Sequence, residues 1–279
     1  MATPFLKWAG GKSRLVPHII AAAPQHIATY REPFVGAGAI FFALQVSGRI
    51  ERAVLNDSNR ELMDTFRQVR DNLEGVVAAL ELLAAAYLGA GPASRGEIYY
   101  AVRASCPATD AGRAARTIFL NKTCYNGLYR VNRKGEFNVP HGDYKRPPIL
   151  DCRLLSQASA ALQCTRLESE DFETACAAAQ PGDFVYLDPP YHPLSATSSF
   201  TGYTHGAFSE RDQVRLRDTL VSLTERGVAA ALSNSDHPFI HDLYSGRGFD
   251  VQVVTMGRAI NSVGAKRAPI TELLIVKRV

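Results

Sequence analysis

"TYREPFVGAGAIFFALQVSG", residues 29–48, with "RAVLND", residues 52–57, behind it, reads as a strand, a glycine turn, a helix and a second strand. The run into Glu32 is β-prone, Gly36 and Gly38 break it, an apolar helical stretch follows, and Gly48 stops that stretch. The apolar run of "RAVLND" makes a short second strand ending at Asp57. Two strands joined by a helix form a βαβ unit, which predicts a parallel sheet with helices on its faces.

The turn inside this unit is the first candidate site, covering Glu32, Phe34, Gly36 and Gly38. Paired glycines let a backbone pass close to a ligand, and Asp57 stands at the end of the next strand, suitably placed for ribose hydroxyls. G-x-G turns also arise where glycine merely solves packing, so both readings stay open. The pattern lacks the third glycine of a dinucleotide fingerprint, and no arginine stands ready for a pyrophosphate. A nucleoside with a cationic sulfur needs ribose and adenine contacts without a phosphate cradle, a description that S-adenosylmethionine fits. Upstream, "KWAGGKS" at residues 7–13 ends like a P-loop, but the required leading glycine is replaced by Leu6 and no strand precedes it.

After Asp57 the pattern changes. Ser58 and Glu61 suggest a capping box, Leu62, Phe66, Val69, Leu73, Val76, Val77, Leu80 and Leu83 recur at helical spacing, and Asp110 is placed to cap a further helix. A helical insertion is expected over roughly residues 58–122. "TCYNGLYRVNRKGEFNVPHG" then offers two β-prone runs around "NRKG", a hairpin turn. Between Arg95 and Arg146 ten basic residues face four acidic ones, a net of +6, whereas the remainder carries 21 against 23. A basic segment in a near-neutral chain is the footprint of a nucleic-acid reader, although a solvated surface explains charge alone equally well.

Sheet-type sequence returns after "KRPP". A helix is expected near 151–162, a strand in "GDFVYLDPPY", a helix capped by Ser209 and Asp212 and ending near Gly227, a strand in "VAAALSN", and an antiparallel hairpin from "FDVQVVTM" and "ITELLIVKRV" at the sheet edge. In "DPPY", Asp188, Pro189, Pro190 and Tyr191 follow the apolar strand, and the prolines force an extended, rigid exit with free carbonyls. Such a turn is explicable as structure alone. As chemistry, the Asp188 carboxylate and the Pro189 carbonyl could accept both N–H bonds of an exocyclic amino group while Tyr191 offers its face to the base. That grip favours a pyramidal nitrogen whose lone pair points at a methyl donor, and it requires no metal.

A chain of 279 residues, 46% apolar, can bury a large core, and no apolar stretch approaches the ~20 residues of a membrane span. The first residues lack a secretion signal, which suggests a cytoplasmic protein. Five widely spaced cysteines without a CxxC argue against a disulfide framework or a zinc site and for mostly buried thiols. The seven histidines show no pairing that would build a metal site or triad.

Taken in order, "FLKWAGGK", "EPFVGAG", "LND", "YNGLYR", "GEFNVPHG", "DPPYHPLSATSSFTGY" and "LSN" resemble the DNA adenine-N6 methyltransferases of the Dam type, along essentially the whole chain. The resemblance implies an α/β fold: a Rossmann-like S-adenosylmethionine-dependent methyltransferase sheet with an inserted helical target-recognition domain carrying a β-hairpin. It implies a catalytic domain at 1–57 and 146–279 and a target-recognition domain at 58–145, with the reading hairpin at about 124–140. Trp8 would pack against S-adenosylmethionine, Lys12 would lie near its methionine moiety, Asp57 would hold the ribose, and Asp188 would border both cofactor and adenine. No metal is implied. Double-stranded DNA would be the partner, met by a monomer without an obligatory protein partner, in the nucleoid of a prokaryotic or phage-infected cell.

The adenine must be flipped out of the duplex. By the same resemblance Tyr125 would insert into the stack, Asn126 would hold the orphaned strand, Leu128 and Pro140 would contact bases, and Lys7 would face DNA. Arg130 would clamp a guanine, and the target would be GATC. Without the resemblance, the hairpin is also readable as an exposed basic loop. Arg258, Lys266 and Arg267 would serve phosphates, and "HPLSATSSFTGYTHGAF" would cover the active site as a flap. Protein-glutamine and RNA methyltransferases share the fold and a similar corner, and a catalytically silent DNA-binding protein is a further alternative. Asp188 at the head of the corner and the basic insertion favour DNA.

Overall fold

The computed structural model describes residues 2–8, 12, 15–193, 208–256 and 270–277. In chain order its strands are β1 (Tyr30–Glu32), β2 (Ala53–Asn56), β3 (Thr165–Glu168), β4 (Phe184–Leu187), β5 (Ala229–Ser235), β6 (Asp250–Met256) and β7 (Ile270–Lys277). The helices are α1 (Val16–Ala22), α2 (Ala39–Val46), α3 (Arg60–Asp71), α4 (Leu73–Gly89), α5 (Pro92–Ala104), α6 (Asp110–Thr123), α7 (Cys152–Leu162), α8 (Phe172–Ala177), α9 (Glu210–Glu225) and α10 (Pro238–Tyr244). The chain divides into two compact units, one of Met1–Gly11, Gly36–Ser47 and Asp57–Ser169, the other of Lys12–Val35, Gly48–Asn56 and Glu170–Val279.

The second unit holds the sheet order β2-β1-β4-β5-β7-β6. Tyr30 is level with Ala53 and with Phe184, and Phe184 with Ala229, all in parallel ladders. The four residues of β4 are all buried, as befits a parallel strand covered on both faces. Val185, Leu187, Leu216, Leu220, Leu232 and Ile275 form the centre of one apolar cluster. The capping box of Ser209 and Asp212 starts α9 as expected. β6 and β7 do pair antiparallel, with β7 lying between β5 and β6 and opposed to both. Because β1, β2, β4 and β5 run the same way, Glu32, Asn56, Asp188 and Asn234 all fall at the carboxyl ends of parallel strands, where α/β sheets bind ligands.

The first unit is helical around α6, which packs on α3 and α4 through buried residues such as Ile118, Phe119 and Leu120. Two expected caps move by one residue. Asn59, not Ser58, caps α3 by accepting from Leu62 N at 3.1 Å, and Glu61 is spent elsewhere. Thr109, not Asp110, caps α6 by accepting from Gly112 N at 3.1 Å. The periodic run from Leu62 to Leu83 is two helices, bent by 112° at Asn72. Among the described residues no single helix is long and apolar enough to cross a membrane, although this bent pair passes by length and composition. The expected hairpin is a short ladder rather than two full strands: Val131 bridges Phe137, Asn132 N donates to Glu136 O and Asn138 N to Arg130 O, around Gly135 at φ 79°.

Candidate active site

In the second unit the corner after β4 is enclosed by polar partners. The Lys12 ammonium is buried, 3.1 Å from Asp188 Oδ1, 4.0 Å from Glu272 Oε2, and 4.1 Å from the centre of the Tyr191 ring. Ser233 donates its hydroxyl to Asp188 Oδ1 at 2.8 Å, and the Tyr186 hydroxyl shares a 2.7 Å bond with Ser233. Burial pushes the Asp188 carboxyl up to about 6, against the opposing pull of Lys12 and Ser233. Tyr191 donates to Glu272 Oε2 at 2.8 Å, and burial, Asp188 and Glu272 together push its phenol far up, so it stays neutral.

Of the proline carbonyls expected to be free, that of Pro190 is taken. Gln213 Nε2 donates to Pro190 O at 3.1 Å, whereas no described residue donates to Pro189 O. Gln213 Oε1 in turn accepts from Asn234 Nδ2 at 2.9 Å, and Asn234 Oδ1 accepts from His192 N at 3.3 Å. A buried pair of amides thus braces the corner on both sides of Tyr191. Glu32 is buried beside Tyr30, whose phenol is pushed up by burial and by that carboxylate. Phe34 packs at 5.5 Å from Phe172 and 5.8 Å from Phe208, in an aromatic cluster.

The first unit gathers the remaining candidates. Gly36 N donates to Asp57 Oδ2 at 3.1 Å and Asn59 N to Oδ1 at 3.0 Å, while burial pushes the Asp57 carboxyl up against these two bonds. Gly36 and Gly38 both have positive φ, 49° and 74°. A Cβ on Gly36 would meet Trp8 Cδ1 at 2.8 Å, so the glycine is needed both for its conformation and for the indole. Trp8, partly buried, also stacks on Tyr129 at 5.2 Å and 25°. Tyr129 donates to Glu61 Oε2 at 2.6 Å, and Glu61 Oε1 accepts from Arg116 and Thr117.

Further along the first unit, a single 3-10 turn, Tyr125–Gly127, carries Asn126 at φ 55°, the one non-glycine residue with positive φ among those described. Tyr125 is 53% exposed and Leu128 37%, large apolar groups held outward. Tyr125 N donates to the carbonyl of exposed Pro140 at 2.9 Å. Lys7 is exposed, with its ammonium 4.8 Å from the Tyr144 ring centre. Arg130 folds back on Asn138, donating Nε to Oδ1 at 2.7 Å and Nη2 to the carbonyl at 3.2 Å, and no described residue accepts from its Nη1.

Arg258, Lys266, Arg267 and the flap residues 194–207 lie outside the described residues. Among the described residues no three His, Cys, Asp or Glu side chains cluster to hold a metal. Only Cys124 and Cys176 are buried, fewer than expected, since Cys106 and Cys152 lie near helix ends at the surface. Gln213, Glu272 and Asn121 escaped sequence reading. A signal existed for two of them: Gln213 shares the apolar stripe of Leu216, Leu220 and Leu223, and Asn121 that of Ala114 and Ile118, and a polar residue in such a stripe needs a partner.

A parallel sheet closed by a reversed strand, with an acid-proline corner at a strand's carboxyl end, defines an α/β methyltransferase-type enzyme. The family profile described as D12 class N6 adenine-specific DNA methyltransferase matches residues 8–260, and the chain belongs to this family. It is 41% identical over 280 residues to the type II methyltransferase M1.LlaDCHI of Lactococcus lactis subsp. cremoris, covering 98% of this chain and 94% of the relative. It is 41% identical to the type II methyltransferase M.MjaIII of Methanocaldococcus jannaschii, covering 98% of both. The DNA adenine methylase of Escherichia coli K12 is 36% identical, with 97% and 93% covered. The protein is therefore an adenine-specific DNA methyltransferase, and the glutamine and RNA alternatives fall away.

Proposed function

We propose that the protein methylates N6 of a flipped adenine within GATC in double-stranded DNA, with S-adenosylmethionine as donor. The observation that carries this reading is the corner itself: the Asp188 carboxylate with its Ser233 and Lys12 partners, next to a Pro189 carbonyl that no described residue uses. These two acceptors match the two N–H bonds of an adenine amine. Asp188 and Pro189 orient that amine, the brace behind Pro190 keeps them in place, and Tyr191 gives the base a flat wall.

The polar residues suit the donor. Around Gly36 stand one carboxylate, Asp57, and one indole, Trp8, with no basic side chain among their described partners, which suits a ribose diol and an adenine better than a phosphate. Trp8, Lys12, Glu32, Phe34, Gly36, Gly38, Asp57 and Asp188 are the residues assigned to it. Bound S-adenosylmethionine supplies an electrophilic methyl group on a sulfonium. Asp188 balances the charge that appears on the amine as it is methylated, before its proton is lost.

We assign target recognition to residues 58–145 and the chemistry to 1–57 and 146–279. Tyr125 inserts where the adenine leaves, Asn126 holds the orphaned strand, Leu128 and Pro140 contact bases, Lys7 faces the DNA, Arg130 clamps a guanine, and the enzyme works as a cytoplasmic monomer on nucleoid DNA. The exposed turn and an Arg130 Nη1 end that no described residue takes up support this assignment. The test supplies tritiated S-adenosylmethionine with duplexes that contain or lack GATC and then analyses the nucleosides. Label in N6-methyladenine from the GATC duplex alone is expected; label in both duplexes equally defeats the GATC assignment, and label in cytosine or protein defeats the whole reading.

A further inference from the structure

Asn121 is only 4% exposed, in the apolar stripe of α6. Its Oδ1 accepts from Lys7 N at 2.8 Å, and its Nδ2 donates to Lys7 O at 2.7 Å and to Gly127 O at 3.3 Å. Bonding both the N–H and the C=O of one residue is what a neighbouring strand would do. Here one side chain does it for a segment that pairs with no strand among the described residues, and the same amide reaches the turn that carries Tyr125. The approach is close: a Cβ on Gly127, at φ 62°, would meet Lys7 Cδ at 2.5 Å and Lys7 Cβ at 2.8 Å. Asn126, beside it, holds a left-handed conformation that persists only where surrounding bonds over-determine it.

We infer that Asn121 is a positioning residue for base extrusion: it clamps Lys7–Trp8 and the Tyr125–Gly127 turn into one rigid assembly, so that Tyr125 is already aimed when DNA arrives. The inference rests on the proposed reading, in which Tyr125 enters the stack as the adenine leaves. Without the clamp, Lys7 and Gly127 exchange their buried bonds for water, and the left-handed turn loses one of its restraints. The loss is felt when a stacked, paired adenine must be displaced. It is felt far less when the adenine is already unpaired.

The experiment compares methyl transfer by the parent, Asn121→Ala and Asn121→Ser on two duplexes: GATC fully paired, and the same site with an abasic residue opposite the target adenine. The ratio of the two rates is taken within each preparation, so an inactive fraction cancels, and the milder serine variant serves where alanine folds poorly. The expected result is a rise of about tenfold in the unpaired-to-paired ratio for alanine and a smaller rise for serine, because unpairing supplies part of what the clamp provides. Equal losses on both duplexes, leaving the ratio at the parent value, overturn the proposal and make Asn121 a merely structural residue. A parent enzyme that methylates adenine in neither duplex overturns instead the functional reading beneath it.

Discussion

At residues 188–191 the chain leaves a fully buried strand, its aspartate held by a lysine and a serine and its second proline by a glutamine amide. At residues 125–128 it makes one turn on the protein surface through a left-handed asparagine, with a tyrosine and a leucine facing outward and the buried Asn121 amide behind it. The first region is fixed by side-chain bonds among buried groups, the second largely by backbone bonds such as Tyr125 N to Pro140 O and Leu128 N to Tyr125 O. Chemistry that depends on alignment to a fraction of an ångström needs the former. A surface that must enter another molecule has to keep its apolar groups in water and can be restrained only from behind. Changes at the corner should therefore act on the rate of the chemical step, and changes at the turn on recognition.

The largest break expected is at Asp188. Asp188→Ala removes one of the two acceptors and should lower kcat by about 10³-fold or more while the affinity for a GATC duplex stays near that of the parent. Methyl incorporation and a DNA titration measure the two effects, and turnover equal to the parent's would remove the assigned role. Next comes the brace. Gln213→Ala frees the Pro190 carbonyl and removes the acceptor of Asn234 Nδ2, and should cost roughly 100-fold in kcat with little change in KM for DNA. A loss confined to KM would place Gln213 with recognition and undo the contrast.

The acid limb of the pH profile sharpens the same point. In the proposed role Asp188 accepts an amine N–H more strongly, and balances its developing charge, only when ionised, and burial holds its carboxyl at about 6. The rate constant kcat/KM should fall about tenfold per pH unit below that value. The stability term has a definite sign. Between 3.8 and about 6 the native carboxyl holds a proton that the unfolded one releases, so this group makes the fold less stable as pH rises through that window and adds no further change above it. The smallest effect belongs to the exposed region: Arg130→Ala should relax discrimination at one guanine by about tenfold, within the 1 to 3 kcal/mol of a good base contact. Methylation of singly altered GATC duplexes reads this directly, and unchanged discrimination would assign Arg130 to another task.

Much of the corner was legible in the sequence. Apolar residues ending in Asp-Pro-Pro leave few alternatives to a buried strand with a stiff exit, and Ser209 with Asp212 announced α9 because a capping box is a local bond pattern. The turn region was legible only by resemblance to a family. Its flanking runs carry β propensity, yet they form only two isolated bridges, Cys124 with His141 and Val131 with Phe137, since among the described residues no adjoining strand completes the ladder. Ser58 and Asp110 lost their capping roles to Asn59 and Thr109 for a similar reason: several oxygens within one residue of a helix start compete, and the backbone angle at each position selects the winner.

The amino-acid order by itself determined the parallel βαβ beginning, the acid-proline exit after a buried run and the helical, basic middle of the chain, because periodicity and proline act on the backbone within a few residues. Only the tertiary structure decided that β7 slips between β5 and β6, that Gln213 and Asn234 brace the corner, and that Asn121 reaches Lys7 across 114 positions of chain. A buried polar side chain announces that it needs a partner, but which group answers depends on what folding brings beside it.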